Sequence, residues 1–476
     1  MAARTVPHYR GGMEAGNIAA TGPPPRRAGW RAEAAATLLL AWPLVLTNLS
    51  QMAMAVTETL LLGRVGTEAM AAGMLGSSLY FAVIAPAFGL ALAAAPLLAL
   101  ARGEGRRGHG AGRGWVREMR RSLRAALWAC ALASLPSGLL LWHAGALLVA
   151  TGQDPALAAL AQDYTRAALW SLPGFCAFVV LRGFLAAMER PAAAMWIALA
   201  GVVLNIPIAW ALIVPAGLGV TGAGIAATIA DTGIFLALLA VVARDRVFRR
   251  FHLFGRIWRP DPPRLGRVFA LGLPIAGSML LEIGVFTAAA LAMGWFGAVA
   301  VAAHAIAVQT AAVTFMVPMG ISQAATARVG LALGAGDRAG AALAGWTAIV
   351  IGGGFMATMA AVLVVGADAI AAAFIDAADP SAAEVRALGA TLLVVAGVFQ
   401  LVDGVQVVAG GALRGLADTR VPMLFAALGY WGLAFPAGLA LAWWAGLGPM
   451  GLWVGLALGL ALVAVMMTLR WRRLSG

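Results

Sequence analysis

The sequence predicts an all-α polytopic membrane protein: twelve transmembrane helices in two pseudo-symmetric six-helix lobes. Three observations carry this. The 476 residues are 62% hydrophobic and only 11% charged, with a mean hydropathy of +0.89, a balance no soluble chain of two to four domains shows. Twelve apolar runs follow one another, each long enough to cross a bilayer, which takes about 20 residues at 1.5 Å rise. The two halves also align with one another at an offset of 231 or 232 residues.

Gly, Pro or Arg clusters bound each run in turn. The first, 36–62, follows Arg26, Arg27 and Arg31 and ends before Arg64 and Gly66; the second, 69–100, stops at Arg102. Arg106, Arg107, Arg113, Arg117, Arg120 and Arg121 lead into the third, 121–143. The fourth, 157–181, ends at Arg182; the fifth, 192–214, begins after Arg190 and Pro191; the sixth, 220–243, ends at Arg244. Runs seven and eight, 268–294 and 298–327, flank Gly297, and Arg328 closes the latter. Runs nine to twelve are 341–366, 385–412, 421–444 and 449–469, with Arg338, Arg414, Arg420 and Arg470 at their ends. They are rich in Gly and Ala, which suits closely packed helices, and lack the period-two alternation of membrane strands. Pro43, Pro136, Pro173, Pro207, Pro274 and Pro318 fall inside runs and suggest kinks.

Orientation follows from the arginines. The net charge of +13 comes from 33 basic residues, all Arg and none Lys, and they crowd the even-numbered connections, including Arg246, Arg249, Arg250, Arg256, Arg259, Arg264 and Arg267. The odd connections carry few, chiefly Arg64 and Arg386. Short Arg-bearing loops stay cytoplasmic, so both termini are expected there, and the acidic stretch from Asp368 to Glu384 outside. The charge thus reads as topology and not as a nucleic-acid footprint. The expected organisation is a disordered cytoplasmic tail over 1–33, an N-terminal lobe over 34–244, a basic linker over 245–267, a C-terminal lobe over 268–470 and a short tail over 471–476. Cys130 and Cys176 lie inside apolar runs and build neither a disulfide scaffold nor a zinc site.

The internal repeat pairs Pro43 with Pro274, Gly66 with Gly297, Pro86 with Pro318, Leu181-Arg182-Gly183 with Leu413-Arg414-Gly415, and Pro191 with Pro422. Six runs per copy leave both copies in one orientation, related by an axis along the membrane normal. Two such lobes suit alternating access around a central cleft.

A carboxylate at mid-membrane costs roughly 2.5 to 3.5 kcal/mol on insertion scales, so each one is a functional candidate. Four stand inside runs: Glu58, Asp231, Glu282 and Asp403. The repeat sorts them, because Glu282 aligns with Gln51, Asp403 with Ser171 and Glu58 with Ala289, so no acid recurs. Gln51 and Glu58 share a face of the first run with Asn48 and Thr47 nearby; Gln400, Asp403 and Gln406 form a polar stripe on the tenth. Desolvation and a second acid favour the protonated form of a carboxylate, whereas a bound cation favours the charged one. Glu282 and Asp403, with Glu58 opposite, are therefore the expected cation-coupling set, and sodium is the metal that Glu282 and Asp403 would take. Asp231 reads as a hydrogen-bonded helix contact. His304 is a supporting polar residue able to shuttle protons or to hold a neighbouring helix, and Asp163 with Arg166 reads as a local ion pair. The Met and Trp residues read mainly as core and interface belt. No Walker loop, paired-His metal motif or nucleophile elbow occurs, so neither an enzyme nor an ATP-driven pump is expected.

Several segments then point to a family. Trp42-Pro43-Leu44-Val45-Leu46, Gln51 and Glu58 through Gly66 resemble the first helix of multidrug and toxic compound extrusion (MATE) transporters. Leu271-Gly272-Leu273-Pro274-Ile275 with Glu282 is similar to the seventh, and Ala303-His304-Ala305-Ile306 through Arg328-Val329-Gly330 to the eighth. Phe399-Gln400, Asp403, Gln406-Val407-Val408 and Leu413-Arg414-Gly415 are similar to the tenth. The resemblance spans residues 36 to 470 and is nearest the NorM-like branch. It implies two six-helix lobes forming a V, and export of lipophilic or cationic drugs in exchange for sodium or protons, without an organic cofactor. It places Glu282 and Asp403 in the C-lobe cation site and Glu58 at the N-lobe acidic position. Two departures stand out: Glu58 replaces the common Asp, and Phe399 stands where sodium-type members often have Tyr. The expected chain is a monomeric exporter of a bacterial inner membrane, with the lipid bilayer and small amphiphilic drugs as partners and no nucleic acid. The alternatives are a flippase for lipid-linked oligosaccharide, which would favour an Arg-rich cavity, and a non-transporting membrane enzyme or assembly partner. Mid-span arginines read as nearly absent, against the flippase.

Overall fold

The structure, a computed structural model, describes residues 29–107, 114–249, 251, 258–375 and 380–476. Residues 1–28 of the expected tail and part of the expected linker, with Arg113, Arg250 and Arg256, lie outside the described residues. In a bilayer no water satisfies a bare peptide group, so a spanning chain of this apolarity closes its hydrogen bonds within helices, and every described element is helical.

The N-terminal lobe comprises α1 (Trp30–Val65), α2 (Thr67–Leu92), α3 (Ala94–Glu104), α4 (Gly114–Trp142), α5 (Ala144–Ala150), α6 (Pro155–Ala168), α7 (Ser171–Ala187), α8 (Ala192–Ile213), α9 (Gly219–Arg244) and the short α10 (Arg246–Arg249). The C-terminal lobe comprises α11 (Pro262–Gly294), α12 (Ala298–Gly334), α13 (Arg338–Ala373), α14 (Ala382–Gly415), α15 (Arg420–Ala426), a π-helical segment (Ala427–Ala434), α16 (Phe435–Trp443) and α17 (Pro449–Ser475). Among the described residues eleven helical stretches are long and apolar enough to span a membrane, α2 with α3 and α15 through α16 each counting as one, and α6 with α7, bent by 51° at Leu169–Trp170, brings the number up to twelve. Pro173 stands just past that bend, where its missing N–H costs no helical hydrogen bond.

The repeat survives in detail. Thr47 donates its hydroxyl to the carbonyl of Pro43 at 2.8 Å, and Ser278, its counterpart at offset 231, donates to that of Pro274 at 3.0 Å. Each lobe has its own buried core. Leu90, Leu98, Met119, Leu123, Phe184 and Phe251 anchor the first; Phe399, Tyr430, Trp453, Leu456 and Trp471 anchor the second. The tail expected from residue 471 is instead helical through Ser475, and Trp471 is fully buried because its indole fills the space beside Gly345.

The lobes meet in the half of the bundle nearest the basic loops. A methyl group on Gly103 would fall 2.7 Å from Cα of Gly334, and one on Gly89 would fall 2.6 Å from the backbone N of Ala276. Glycine at these two points allows α3 to touch α12 and α2 to touch α11 without a side chain between the backbones. Ion pairs cross the same seam. Arg328 holds Glu33 at 2.5 Å and Glu189 at 2.8 Å, and Arg121 holds Asp261 at 2.5 Å. Arg264 pairs with Glu118 across the seam as well.

Candidate functional site

Two chambers lie on either side of the lobe seam. The first, of 410 Å³, is lined by Asn48, Gln51 and Glu58 of α1, Tyr80 of α2, Tyr164 of α6, and Ser171, Arg182 and Asp231 from α7 and α9. Met279, Met316 and Met319 of the C-terminal lobe close its far wall. The second, of 450 Å³, is lined by Ser278 and Glu282 of α11, Met319 of α12, and Gln406 and Arg414 of α14. Met279, Ile283 and Met319 line both, so the chambers are two parts of one cleft. Flexible, polarizable Met on a shared wall lets one surface pack against differently shaped ligands. A reading that places most Met in the core leaves room for this wall, and among the described residues no Trp lines either chamber.

In the first chamber Glu58 is 8% exposed, and Asp231 lies close enough to it to act on its charge. Ser171 stands beside Asp231 and exchanges a 2.6 Å hydrogen bond with the hydroxyl of Tyr80. Asn205, fully buried, neighbours Glu58, although its side-chain atoms complete no hydrogen bond among the described residues. Asp231, read from sequence as a plain helix contact, thus belongs to the same acidic chamber as Glu58.

In the second chamber Glu282 forms part of the wall, and Asp403 sits behind it on α14, 6% exposed and close enough to Glu282 to act on its charge. Gln406 follows Asp403 by one turn and donates to the hydroxyl of Tyr430 at 2.5 Å. Tyr430 lies on the π-helical segment, whose wider turn is a local departure often found at functional positions. Asp403 Oδ1 and Gln406 Oε1 are buried with no hydrogen-bond partner among the described residues. Two orphaned oxygens beside a second carboxylate are a donor set that a proton or a sodium ion would satisfy.

The other expected residues divide. Asn48 and Gln51 line the first chamber. Gln400 is buried and accepts a 2.6 Å hydrogen bond from Thr314, away from both chambers' walls. His304 accepts a 3.1 Å hydrogen bond at Nδ1 from the indole of Trp453 and lines neither chamber. It binds α12 to α17, which is the interhelical contact a lone intramembrane His can supply. Phe399 is buried against Phe286 and Trp453, with ring centroids at 5.8 and 5.6 Å. Asp163 and Arg166 form no ion pair: Arg166 donates to the carbonyl of Trp142 at 3.1 Å and lies over its ring at 5.0 Å, since the end of α4 offers a nearer acceptor.

Two residues overturn a sequence expectation. Arg182 and Arg414, taken as boundary arginines, line the first and second chambers respectively, Arg182 buried and Arg414 half-buried. Arg182 is 3% exposed and donates to Oδ1 of Asn48 at 3.0 Å, and Gln323 reaches the same oxygen at 3.5 Å. Arg414 donates to Ser322 at 2.7 Å, and its charge acts on Glu282. Arginines near the ends of their helices therefore reach the chambers, one per lobe among the described residues. Their signal was the repeated Leu-Arg-Gly at offset 232, read as a loop boundary because the apolar run ends there.

Comparison with known proteins fits this architecture. The MatE family model matches residues 43–211 and 274–439. A Mesorhizobium japonicum protein named "Probable multidrug resistance protein NorM" is 46% identical over 449 residues, covering 93% of this chain and 94% of that protein. A Brucella suis protein of the same name is 42% identical over 448 residues, covering 93% and 94%. Among solved structures, a eukaryotic MATE transporter superposes with a TM-score of 0.82 at 20% identity, over 94% of this chain and 98% of that one. A Vibrio cholerae MATE transporter in its bent form superposes with a TM-score of 0.80 at 19% identity, over 94% and 98%.

Proposed function

The chain belongs to the MatE family, and from that premise we infer that this multidrug efflux transporter moves lipophilic or cationic drugs outward against an inward flow of sodium ions or protons. It is a multi-span membrane transporter and not an enzyme. The observation that carries the coupling is the pairing of carboxylates at the cleft: Glu58 with Asp231 in one lobe, Glu282 with Asp403 in the other. A buried carboxylate is costly while charged and cheap once neutralised. Each pair can therefore exist in a loaded and an unloaded state whose energies differ, and the lobes can respond by changing their relative tilt.

The contacts at the seam suggest how. With the basic ends closed by Gly103 against Gly334 and by the pairs of Arg328, the cleft is reached from the opposite end. Ion binding at Glu282, Asp403, Glu58 and Asp231 removes the negative charge that holds a cationic drug, the drug leaves, and the neutral cleft can close and reopen at the basic end. There the ion is released and drug enters. Gln51, Asn48, Gln406 and Arg414 position the acids, and no organic cofactor takes part. The membrane is a bacterial inner membrane, with the arginine-rich ends and both termini cytoplasmic, and the working unit is a monomer with the lobe organisation read from the sequence.

A flippase is the second reading, because Arg182 and Arg414 do reach the cleft. Both are already engaged, by Asn48 and Ser322, and four acids outnumber them, so cationic cargo is favoured. The test is efflux of a fluorescent lipophilic cation from proteoliposomes under imposed sodium or proton gradients. Efflux driven by one gradient, and lost in Asp403→Asn, is expected and identifies the ion. No efflux under either gradient from correctly inserted protein would overturn the exporter in favour of the flippase.

A further inference from the structure

A third cavity lies outside the cleft, at the basic end of the lobe seam. It measures 620 Å³ and is lined by Arg117, Arg120, Arg121 and Arg124 of α4, with Arg259 and Asp261 ahead of α11. We propose that this cavity binds the phosphate headgroup of an anionic phospholipid, and that the bound lipid bridges the two lobes.

Charge is the first argument. The four arginines of α4 recur at i, i+3, i+4 and i+7, so they share one face, where like charges repel each other. Among the described residues Asp261 is the one acid on the cavity wall, and it is already held by Arg121 at 2.5 Å and Arg264 at 3.3 Å. Among the described residues Arg117, Arg120 and Arg259 make no hydrogen bond or ion pair, and Arg117 and Arg259 are exposed. The wall therefore carries an uncompensated positive field in a concave space large enough for a headgroup. Guanidinium forks match phosphate oxygens two at a time.

Depth is the second argument, and it selects a lipid. Beyond Arg124 the helix is free of charge from Ala125 to Trp142, a length of about 27 Å at 1.5 Å per residue, close to the hydrocarbon thickness of about 30 Å. The arginine face thus ends where the hydrocarbon begins, at headgroup level. Trp258, 70% exposed beside Arg259, is the amphipathic side chain suited to that level. Basic pockets between spans on the cytoplasmic side are sites where such headgroups bind; placing this one in the cytoplasmic leaflet rests on the orientation proposed above, whereas the cavity and its depth do not. Because α4 belongs to the N-terminal lobe and Arg259 stands on the segment that leads directly into α11 of the C-terminal lobe, a phosphate held by both adds a contact that exists while the basic ends are closed, and so favours that state.

The test is native mass spectrometry of the detergent-solubilised protein titrated with cardiolipin at fixed ionic strength, with phosphatidylcholine as the neutral lipid. Arg117→Gln/Arg120→Gln/Arg259→Gln removes three arginines that hold no partner, so the fold's own contacts stay. Its cardiolipin affinity should fall about a hundredfold, at roughly fivefold per arginine. Arg259→Gln alone should fall about fivefold and carries the test should the triple variant fail to insert. Arg472→Gln/Arg473→Gln at the end of α17 should bind as the parent does. Equal binding by all variants, an equal loss in the α17 variant, or displacement of cardiolipin by inorganic phosphate at matched concentration would each overturn the proposal; the last would make the cavity a soluble-anion site. No drug or ion gradient enters the measurement, so its failure leaves the exporter reading standing, and the reverse holds.

Discussion

The two chambers contain the same chemistry built from different positions. Each gathers two carboxylates, tyrosine and one arginine: Glu58, Asp231, Tyr80, Tyr164 and Arg182 line the first, and Glu282 and Arg414 line the second with Asp403 and Tyr430 set behind its wall. Only the arginines are related by the repeat. Glu58 aligns with Ala289, Glu282 with Gln51 and Asp403 with Ser171. The scaffold, the prolines of its entry helices and its seam glycines are thus common to both halves, whereas the acids are placed on the first and sixth spans in one lobe and the seventh and tenth in the other. The surroundings differ too. Glu58 and Asp231 share their chamber with an arginine tied to Asn48; Glu282 has the charge of Arg414 acting on it directly, with Asp403 buried behind. Both acids of the first site line its chamber, whereas in the second only Glu282 does and Asp403 is set behind it.

The largest effect that tests this difference is on transport. Asp403→Asn should abolish ion-driven efflux to the level of empty liposomes, because it removes the acid with an orphaned oxygen and no other partner. Glu58→Gln should reduce efflux by about fivefold to a hundredfold, the range of a typical coupling between sites, since Asp231 remains in its chamber. Equal loss in both variants would break the comparison and make the four acids one unit. Asp231→Asn added to Glu58→Gln should then bring efflux to background.

Stability separates the arginines next. Arg414→Ala removes a charged hydrogen bond to Ser322 together with the positive charge near Glu282 and should cost about 2 to 3 kcal/mol. Arg182→Ala orphans part of Asn48, which keeps only the 3.5 Å contact from Gln323, and should cost about 1 to 3 kcal/mol. Denaturation followed by tryptophan fluorescence in detergent compares the two, and a larger loss for Arg182→Ala would reverse that order. The tyrosines should follow the same order with smaller values. Tyr430→Phe leaves the whole amide of Gln406 unpartnered, whereas Tyr80→Phe leaves the hydroxyl of Ser171 beside Asp231. The expected costs are about 2 and about 1 kcal/mol.

How far the sequence carries such a comparison can be judged from these residues. The twelve spans, the repeat and the family were legible because bilayer length and Gly, Pro and Arg punctuation act locally. Glu282 and Asp403 were legible as acids in apolar runs, and the structure adds that they lie close enough for the charge of one to act on the other. Asp231 was not separable from a helix contact, because only the fold shows that α9 brings it to the same chamber as Glu58. Arg182 and Arg414 were missed for a physical reason: a helix that continues past the edge of an apolar run, as α7 does to Ala187 and α14 to Gly415, carries a boundary arginine into the bundle. Tyr80, Tyr164, Ser171, Asn205 and Tyr430 carry no signal of their own, since each is common in helix cores.

The smallest effect concerns the seam where the two lobes touch, and it has a defined pH direction. Partial burial alone would push the Asp261 carboxyl up, but the hydrogen bond from Arg121 and the positive charges of Arg264 and Arg121 outweigh it and hold the group below its ordinary value of 3.8. A carboxylate depressed on folding stabilises the folded state above its unfolded pKa, and that contribution is lost as the pH falls through the folded value. The Asp261 contribution should therefore be full at neutral pH and fade only below about pH 4. Its arginine partners are partly exposed, so screening keeps it below about 1 kcal/mol. Asp261→Asn should lower the melting temperature slightly at pH 7 and in high salt hardly at all, and its acid-unfolding limb should converge with that of the parent below pH 4. A variant that loses as much stability at pH 3 as at pH 7 would show that Asp261 acts by shape and not by charge, and would leave Arg264 with Glu118 and Arg328 with Glu33 and Glu189 as charged links between the lobes at this end.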